Sequence, residues 1–423
     1  MSLLLGCIAD DFTGATDLAS MLVRHGMATV QLIGVPGAGI DPGDAQAVVV
    51  ALKSRTIEPR AAVRQSLAAL EWLRAKGAGQ ILFKYCSTFD STDRGNIGPV
   101  SEALLEALGA DLTIACPALP ENGRTLYQGH LFVGEKLLSD THMRHHPLTP
   151  MTDSNLVAVL QRQSRMPVGL VPYAVVDQGP DAIRARFAEL RRAGVRQAIA
   201  DALAERHLID LGSAAAELAL ITGGSGIAMG LPANFRRAGR LDQSRPADQL
   251  PRVAGPAAVL SGSCSAATLE QVERHRAAGR PTLVLDPVGL ADGGDDVARA
   301  LAFAERHLGE APVLISSSAP PEEVAKVQER LGRERAGAAV EGAMAAIAKG
   351  LVARGVRRLV VAGGETAGAV VDALGVEALK IGPPIDPGVP WTASLGEPEL
   401  LLALKSGNFG APDFFIKAFE ALP

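Results

Sequence analysis

Short apolar runs alternate with amphipathic segments along most of the chain. The runs are bounded by glycine, proline or polar residues, a pattern typical of strands that helices connect within a parallel sheet. It predicts strands at 3–8, 29–34, 47–52, 80–84, 112–116, 169–176 and 197–200, and later at 257–260, 282–285, 313–316, 358–362 and 379–381.

The segments between these runs carry helical spacing. After the first run, Leu18, Met21 and Leu22 follow an i, i+3, i+4 pattern, and Gly26 is a natural stop. Helices are also predicted at 60–76 and 100–108. A longer apolar stripe, with steps of four, three and four residues, is formed by Val340, Met344, Ile347 and Leu351.

The chain has 423 residues, more than one hydrophobic core usually organises. We therefore predict two α/β domains with mainly parallel sheets, residues 1–235 and 257–423, and an active-site cleft between them. The polar, proline-punctuated stretch 236–256 shows no period and is the expected linker.

Composition narrows the class of protein. The chain is 48% hydrophobic and 4% aromatic, with 45 glycines and a formal charge of −5. This profile is typical of an α/β enzyme, and the mild negative charge argues against nucleic-acid or anionic-membrane partners. The four cysteines are far apart in sequence, and no signal peptide is visible, so we expect reduced thiols and a cytoplasmic protein. The sequence leaves a homo-oligomer open.

Two adjacent acids follow the first predicted strand. Asp10 and Asp11 precede Phe12-Thr13-Gly14 at the point where strand gives way to helix. In open α/β sheets ligands bind at this carboxyl edge. The acids suit a hydroxylated substrate or a metal–phosphate group, and Asp11, then Asp10, are the candidate general bases.

Cations and hydroxyls follow two further strands of the first half. Lys53 and Arg55 come after 47–52, and Lys84 ends 80–84. They could anchor a substrate carboxylate, although single surface cations more often form salt bridges. The hydroxyls of Ser87 and Thr88 and the carboxylate of Asp90 follow Lys84 and suit the oxygens of a small, acidic, polyhydroxylated substrate.

Small residues close several strands of the second half, in Ser261-Gly262-Ser263, in Ser316-Ser317-Ser318 and in Gly363-Gly364-Glu365-Thr366. Such turns cap helices in many proteins, but a group of them in one domain favours an anion site built from backbone N–H groups. The sequence contains no P-loop signature and no well-placed dinucleotide fingerprint. Gly407, in a further glycine-bearing segment, either closes over a nucleotide or forms an ordinary turn.

Two other segments leave alternatives open. His142, His145 and His146, with His130, invite a metal interpretation, but the spacing is not that of a zinc protease. A loop that folds over the substrate is the favoured alternative, and the metal ligands stay unknown. Residues 222–226, Thr-Gly-Gly-Ser-Gly, could be a hinge, a turn or part of the site.

Taken in order, ADDFTGATD, LKSR, FKYCSTFDSTDRGNIGP, CPALPENGRTLYQGHLFVG, MRHHPLTPMTDS, ADALAE, TGGSG, LSGSCS, VAGGET and LKSGNFG resemble the four-carbon acid sugar kinase family over essentially the whole chain. The resemblance implies ATP-dependent phosphorylation of the C4 hydroxyl of a sugar acid, with Mg²⁺. It also implies an N-terminal substrate domain and a C-terminal nucleotide domain. The segments are most similar to kinases of 3-oxo-tetronate, and D-threonate and D-erythronate kinases share the outline.

Residue by residue, the resemblance places nucleotide contacts on Ser261, on Gly363, Gly364, Glu365 and Thr366, and on Gly407. Two other classes stay open from the residues alone. A dehydrogenase or lyase could act on the same acids, and a sugar-acid sensor would need only the first domain.

Overall fold

A computed structural model describes residues 3–146, 148–241, 246–286, 289, 295–319, 329–330, 332–420 and 422. The chain divides into two compact units, Met1–Asp248 and Gln249–Pro423. Both are α/β structures with mostly parallel sheets, so the predicted fold class is confirmed. The cleft between the domains stays a prediction.

Unit 1 contains eleven described strands and eight described α-helices. The strands are β1 Leu5–Ala9, β2 Thr29–Ile33, β3 Ala47–Ala51, β4 Gln80–Lys84, β5 Thr113–Cys116, β6 Arg124–Tyr127, β7 His130–Val133, β8 Lys136–Leu137, β9 Val168–Val171, β10 Gln197–Ala200 and β11 Leu220–Gly223. The helices are α1 Phe12–Arg24, α2 Pro59–Ala75, α3 Ile97–Leu108, α4 Leu156–Gln163, α5 Tyr173–Val176, α6 Pro180–Arg192, α7 Glu205–Ala214 and α8 Leu231–Arg237.

Eight of these strands form a parallel array in the order β2-β3-β1-β4-β11-β5-β10-β9. In the register of the central strands, Ala9 of β1 pairs with both Ala51 of β3 and Lys84 of β4. The carboxyl ends of three neighbouring strands are therefore level, and the segments that follow them lie at one edge.

Unit 2 has seven described strands and five described α-helices. The strands are β12 Ala257–Ser261, β13 Thr282–Val284, β14 Val313–Ser316, β15 Arg358–Ala362, β16 Ala378–Asp386, β17 Val389–Ser394 and β18 Leu401–Lys405. The helices are α9 Ala266–Ala277, α10 Asp296–His307, α11 Arg333–Ala353, α12 Gly364–Ala373 and α13 Phe414–Glu420. The strand order is β13-β14-β12-β15-β18-β17-β16, with β17 antiparallel to both of its neighbours.

The structure differs from the strand prediction in places where local chemistry outweighs the apolar pattern. The predicted strand 169–176 ends at Val171, because Pro172 has no N–H for a ladder and caps the short helix α5. The antiparallel sheet β6-β7-β8 was not predicted. Its first hairpin turns through Gln128 and Gly129, which both have positive φ angles.

The long amphipathic helix predicted from Val340 to Leu351 is α11. Its segment Arg335–Ala353 is long and apolar enough, by length and composition, to cross a membrane. Met344, Ile347 and Leu351 are nonetheless fully buried, and the helix packs against α10 and α12. These three residues form the face of the helix that packs into unit 2.

The predicted linker 236–256 begins inside α8 and extends into unit 2. Arg236 and Arg237 are the last residues of α8. Leu250 packs beside Trp391 in the core of unit 2. Residues 242–245 lie outside the described residues, and the boundaries 235 and 257 stay predictions.

Candidate functional site

Asp10 and Asp11 sit where β1 meets its two neighbours. The Asp10 N–H donates to the Lys84 carbonyl at 3.0 Å, and the Asp10 carbonyl accepts from Ser54 at 2.9 Å and Arg55 at 3.2 Å. The ends of β3, β1 and β4 are thus joined through one residue. Asp11 is the N-cap of α1, and its Oδ2 accepts the Gly14 N–H at 3.2 Å.

Arg55 gathers three carboxylates at this edge. Its Nε donates to Asp10 Oδ2 at 3.0 Å, and its Nη2 donates to Asp10 Oδ1 at 2.8 Å and to Asp11 Oδ1 at 2.6 Å. Its Nη1 lies 3.5 Å from Asp90 Oδ2. A guanidinium that meets three acids acts first as their organiser, which leaves little donor capacity for a substrate carboxylate.

Burial sets the protonation of this cluster. Burial raises the pKa of Asp10, and the charge and hydrogen bonds of Arg55 oppose the rise. Burial alone would lower the pKa of Arg55, but Asp10 and Asp11 outweigh it and hold the pKa above its ordinary value. Arg55 is therefore a permanent cation.

Lys84 provides a second cation beside Asp11. Its ammonium is buried and donates to the Tyr85 carbonyl at 2.8 Å. A Cβ on Gly14 would lie 2.7 Å from Lys84 Nζ and 2.3 Å from Asp11 Oδ1, so only glycine lets these groups approach here. The glycine of the ADDFTG segment is explained by this packing.

The loop after β4 is held in an unusual conformation. Phe89 and Asp90 have φ angles of 65° and 47°, in the left-handed region that side chains rarely adopt. Thr88 Oγ1 donates to Asp90 Oδ1 at 2.7 Å, which helps to fix the turn. Burial raises the pKa of the neighbouring Cys86 thiol to about 11, so this cysteine is no thiolate nucleophile at neutral pH.

Asn96 holds the segment that carries Arg55. Its buried Nδ2 donates to the carbonyls of Ser54 at 2.7 Å, Ile57 at 3.0 Å and Arg55 at 3.2 Å. Although Asn96 precedes α3, its side chain makes no capping bond to that helix. Its amide instead donates hydrogen bonds to the loop that carries Arg55.

The Thr-Gly-Gly-Ser-Gly segment is explained by packing. Residues 222–223 end β11, and a Cβ on Gly223 would lie 2.2 Å from the Cys116 carbonyl oxygen of the neighbouring strand β5. Thr222 donates to the Ile114 carbonyl at 3.0 Å. Close approach of two backbones accounts for the glycine.

The histidine-bearing segment forms a short 3₁₀ helix, His142–His145. The His146 Nδ1 accepts the Thr149 N–H at 3.1 Å, and Pro147 lies outside the described residues. Within the described ranges, no group of three or more His, Cys, Asp or Glu side chains could hold a metal ion. The substrate-covering loop stays a prediction.

In unit 2 the small-residue turns follow adjacent parallel strands. Ser261 ends β12, is fully buried and shares a 2.8 Å hydroxyl hydrogen bond with Ser318, which follows β14. Gly364 and Glu365 begin α12 and are exposed, whereas Thr366 is buried.

Gly262, Gly363 and Thr366 pack tightly after β12 and β15. A Cβ on Gly262 would lie 2.2 Å from Thr366 Oγ1, and one on Gly363, whose φ is 123°, would lie 3.0 Å from the same oxygen. Side-chain-free backbone at a helix N-terminus is the arrangement that accepts a phosphate.

The Gly407 carbonyl accepts three side-chain hydrogen bonds. The donors are Ser265 Oγ at 2.6 Å, Thr268 Oγ1 at 2.8 Å and Lys405 Nζ at 3.1 Å. Burial lowers the pKa of the Lys405 ammonium to about 8.

The structure therefore brings Asp10, Asp11, Arg55 and Asp90 into one cluster, with Lys84 beside it. Lys53 is exposed and Ser87 is half-buried. The catalytic and binding roles assigned to all of these residues stay predictions.

Three residues with a part in the local geometry were quoted in the sequence motifs but not selected from them: Asp17 and Asn96 in unit 1, and Lys405 in unit 2. Asp17 follows Asp11 in α1, and burial raises its pKa while Lys84 opposes the rise. The only signal for any of the three was its place inside a motif.

Comparison with known proteins agrees with the two-unit geometry. A family model described as a sugar-binding N-terminal domain matches residues 5–231, and one described as a nucleotide-binding C-terminal domain matches residues 258–415.

Relatives match over nearly the whole chain. The chain is 62% identical over 421 residues to a 3-oxo-tetronate kinase of Cupriavidus necator and 62% identical over 420 residues to one of Pseudomonas fluorescens, with 99% of this chain and 97% of each relative covered. A crystal structure from Salmonella typhimurium LT2, provisionally described as a tRNA synthase, is 45% identical, covers 99% of both chains and has a TM-score of 0.91. The chain belongs to the four-carbon acid sugar kinase family.

Proposed function

We propose that this protein transfers the γ-phosphoryl group of ATP to the C4 hydroxyl of a four-carbon sugar acid, with 3-oxo-tetronate as the preferred acceptor. The observation that carries the proposal is the cluster of Asp10, Asp11, Arg55 and Lys84 at a sheet edge inside the sugar-binding match. The name shared by relatives that are 62% identical supports the choice of acid.

Asp11 is the favoured general base. Its side chain is 29% exposed, against 7% for Asp10, so it is the acid better placed to meet a substrate hydroxyl. Asp10 is tied to Arg55 by two parallel hydrogen bonds and stabilises that cation. We assign Arg55 a positioning role. The binding of the substrate carboxylate is assigned to Lys84, with Lys53, which shares the Lys53-Ser54-Arg55 segment with Arg55, as the second candidate.

Ser87, Thr88 and Asp90 would contact the remaining substrate oxygens. Thr88 and Asp90 already bond each other, so their oxygens are fixed in direction. A pre-ordered polar loop lowers the entropy cost of substrate binding.

The nucleotide is assigned to unit 2. Ser261, Gly363, Gly364, Glu365, Thr366 and Gly407 follow neighbouring strands there, within the nucleotide-binding match. Mg²⁺ would arrive as the MgATP substrate, since Mg²⁺ in such complexes is held largely by phosphate oxygens and water.

The decisive assay measures ADP release with 3-oxo-tetronate, D-threonate and D-erythronate, and identifies the product by ³¹P NMR. We expect kcat/KM for 3-oxo-tetronate to exceed the others by at least tenfold, with the phosphate on C4. If threonate or erythronate is the better acceptor, the activity class stands and the assigned acid is wrong.

A sugar-acid sensor is the candidate of a different class. It predicts a thermal shift with sugar acids and none with ATP or ADP.

A tRNA partner is disfavoured by the formal charge of −5. The four free cysteines fit the reducing cytoplasm, where we place the enzyme.

A further inference from the structure

Lys405 is a buried cation without a counter-charge. It is the last residue of β18 and is 1% exposed. Its Nζ donates to Thr268 Oγ1 at 2.9 Å and to the Gly407 carbonyl at 3.1 Å, and it lies 5.8 Å from the centre of the Phe415 ring. No carboxylate of the described residues lies within ion-pair distance of it.

The partners of Lys405 are polar but neutral. Hydroxyl and carbonyl oxygens orient a buried ammonium, yet they do not replace the charge compensation that a carboxylate or phosphate provides. An unpaired buried cation is costly, and an anion that binds during function would offset that cost.

Lys405 also fixes the direction of the loop that follows it. With Ser265 and Thr268 it holds the Gly407 carbonyl on one side. The C=O and N–H of a trans peptide point in opposite directions, so this triple contact turns the Asn408 N–H away from Lys405. That N–H is left to serve a ligand or solvent.

A second side chain orients the rest of the same loop. Gln271 Nε2 donates to the carbonyls of Phe409, Gly410 and Ala411 at 3.1, 3.0 and 3.0 Å. Four carbonyls of this loop, those of 407 and 409–411, are thus bound by Lys405 or by side chains of α9 and its N-cap. Two amides of this loop are already engaged, since the Phe409 N–H donates to the Ser406 carbonyl at 3.2 Å and the Ala411 N–H donates to Asp386 Oδ2 at 2.8 Å. The Asn408 N–H, which the Gly407 contact turns outward, is the amide placed to meet an anion.

We infer that Lys405 is a positioning residue for the nucleotide: it holds the Gly407 carbonyl so that the Asn408 N–H faces the phosphates, and the bound polyphosphate supplies its missing counter-charge. The inference rests on the proposed ATP-dependent activity. It extends that proposal from the glycine-bearing turns to a buried residue that touches no substrate.

The test compares Lys405→Met, Lys405→Arg and Thr268→Val with the wild-type full-length protein. The readouts are KM for ATP, KM for the sugar acid, kcat, and the thermal shift with ADP. Lys349→Met, an exposed lysine of α11, is the matched control. Circular dichroism and Tm establish folding.

We expect Lys405→Met to raise KM for ATP at least tenfold and to reduce the ADP thermal shift, while KM for the sugar acid changes less than twofold. Lys405→Arg keeps the charge and should recover part of the ATP affinity. Thr268→Val removes one donor to Gly407 and should raise KM for ATP by a smaller factor, which tests the contact even if Lys405→Met does not fold.

The inference is overturned if those variants of Lys405 and Thr268 that fold have a lower Tm but a KM for ATP within twofold of the wild-type value. A different result, obtained with the wild-type protein alone, would contradict the proposed function. In that case wild-type protein shows neither an ADP thermal shift nor phosphorylation of any of the three acids.

Discussion

Arg55 holds Asp10 with two parallel hydrogen bonds, Nε to Oδ2 at 3.0 Å and Nη2 to Oδ1 at 2.8 Å. The same Nη2 reaches Asp11 Oδ1 at 2.6 Å, but Asp11 offers only one oxygen to it. Two adjacent acids therefore have different surroundings. Asp10 is buried and fully engaged, and Asp11 is the one that can meet a ligand.

This difference predicts the effect of Asp11→Asn. The substitution keeps the shape and the capping oxygen of α1 but removes the proton acceptor, so kcat should fall by roughly 10²- to 10⁴-fold. The thermal shift with ADP should stay unchanged. Steady-state kinetics and thermal shifts measure both quantities.

Asp93→Asn is the matched control, because Asp93 is 61% exposed and pairs with Arg162 at the surface. It should retain wild-type kcat. Normal turnover in the Asp11→Asn protein would show that another group takes the hydroxyl proton.

Arg55→Lys tests whether the planar guanidinium is required. Lysine keeps the charge but cannot bond Asp10 with two parallel donors while reaching Asp11. We expect KM for the sugar acid to rise at least tenfold and the free energy of unfolding to drop by about 1–3 kcal/mol, the range for charge-assisted hydrogen bonds. Arg162→Lys, in an exposed pair, should change both by little. Equal effects in the two variants would contradict an organising role for Arg55.

The position of this cluster could be predicted from sequence, but its internal bonding could not. Apolar runs that end before Asp10, Lys53 and Lys84 mark neighbouring strand ends, and parallel strands bring such ends to one edge. Arg55 was predicted to hold a substrate carboxylate. That it holds Asp10 depends on the turn of the chain after β3, which Asn96 fixes from a distance of 41 residues in sequence.

Other features had no periodic signal at all. The sheet β6-β7-β8 consists of strands of two to four residues, too short for a pattern to show. A lysine at the end of a strand is expected to face solvent. Lys405 is instead buried, with Thr268 and Phe415 among its contacts, and only the structure shows this. Long-range packing decided these cases.

Asn96 offers a graded test of the loop that carries Arg55. Asn96→Ala leaves the Ser54, Arg55 and Ile57 carbonyls without their donor and should lower the free energy of unfolding by about 1–3 kcal/mol. Asn96→Asp should be worse, because a carboxylate would face three carbonyl oxygens. Urea unfolding measures the stability of both variants. If Asn96→Ala proved less stable than Asn96→Asp, the amide donor of Asn96 would not be the group that stabilises this loop.

Gly262 and Thr366 should be energetically coupled. A Cβ on Gly262 would meet Thr366 Oγ1 at 2.2 Å, so Gly262→Ala must displace that side chain. We expect a loss of about 1–3 kcal/mol in stability and a raised KM for ATP. In a Thr366→Ala background the same glycine change should cost at least about 1 kcal/mol less, a difference that a double-mutant cycle measures. Gly342→Ala, where a Cβ meets nothing, is the control.

The buried ammonium of Lys405 predicts opposite pH trends for ATP affinity and stability. Its folded-state pKa, about 8, lies below the ordinary value of 10.5. As pH rises through 8 the folded protein loses this proton, so the charge available to ATP disappears and KM for ATP should rise. Between about pH 8 and 10.5 the unfolded chain binds more protons than the folded protein, so the contribution of Lys405 to the free energy of unfolding increases with pH.

These trends are measured as wild type minus Lys405→Met, because the difference cancels the other groups that titrate in this range. The stability difference should grow in favour of wild type by up to about 3 kcal/mol over the window. The ATP-affinity difference should shrink over the same window, since a neutral amine attracts phosphates no better than methionine does. Lys405→Arg, which stays charged, should keep a flat KM for ATP up to pH 9.5. If the arginine and lysine proteins lose ATP affinity in parallel, a different group titrates, and the charge of Lys405 does not stabilise the bound nucleotide.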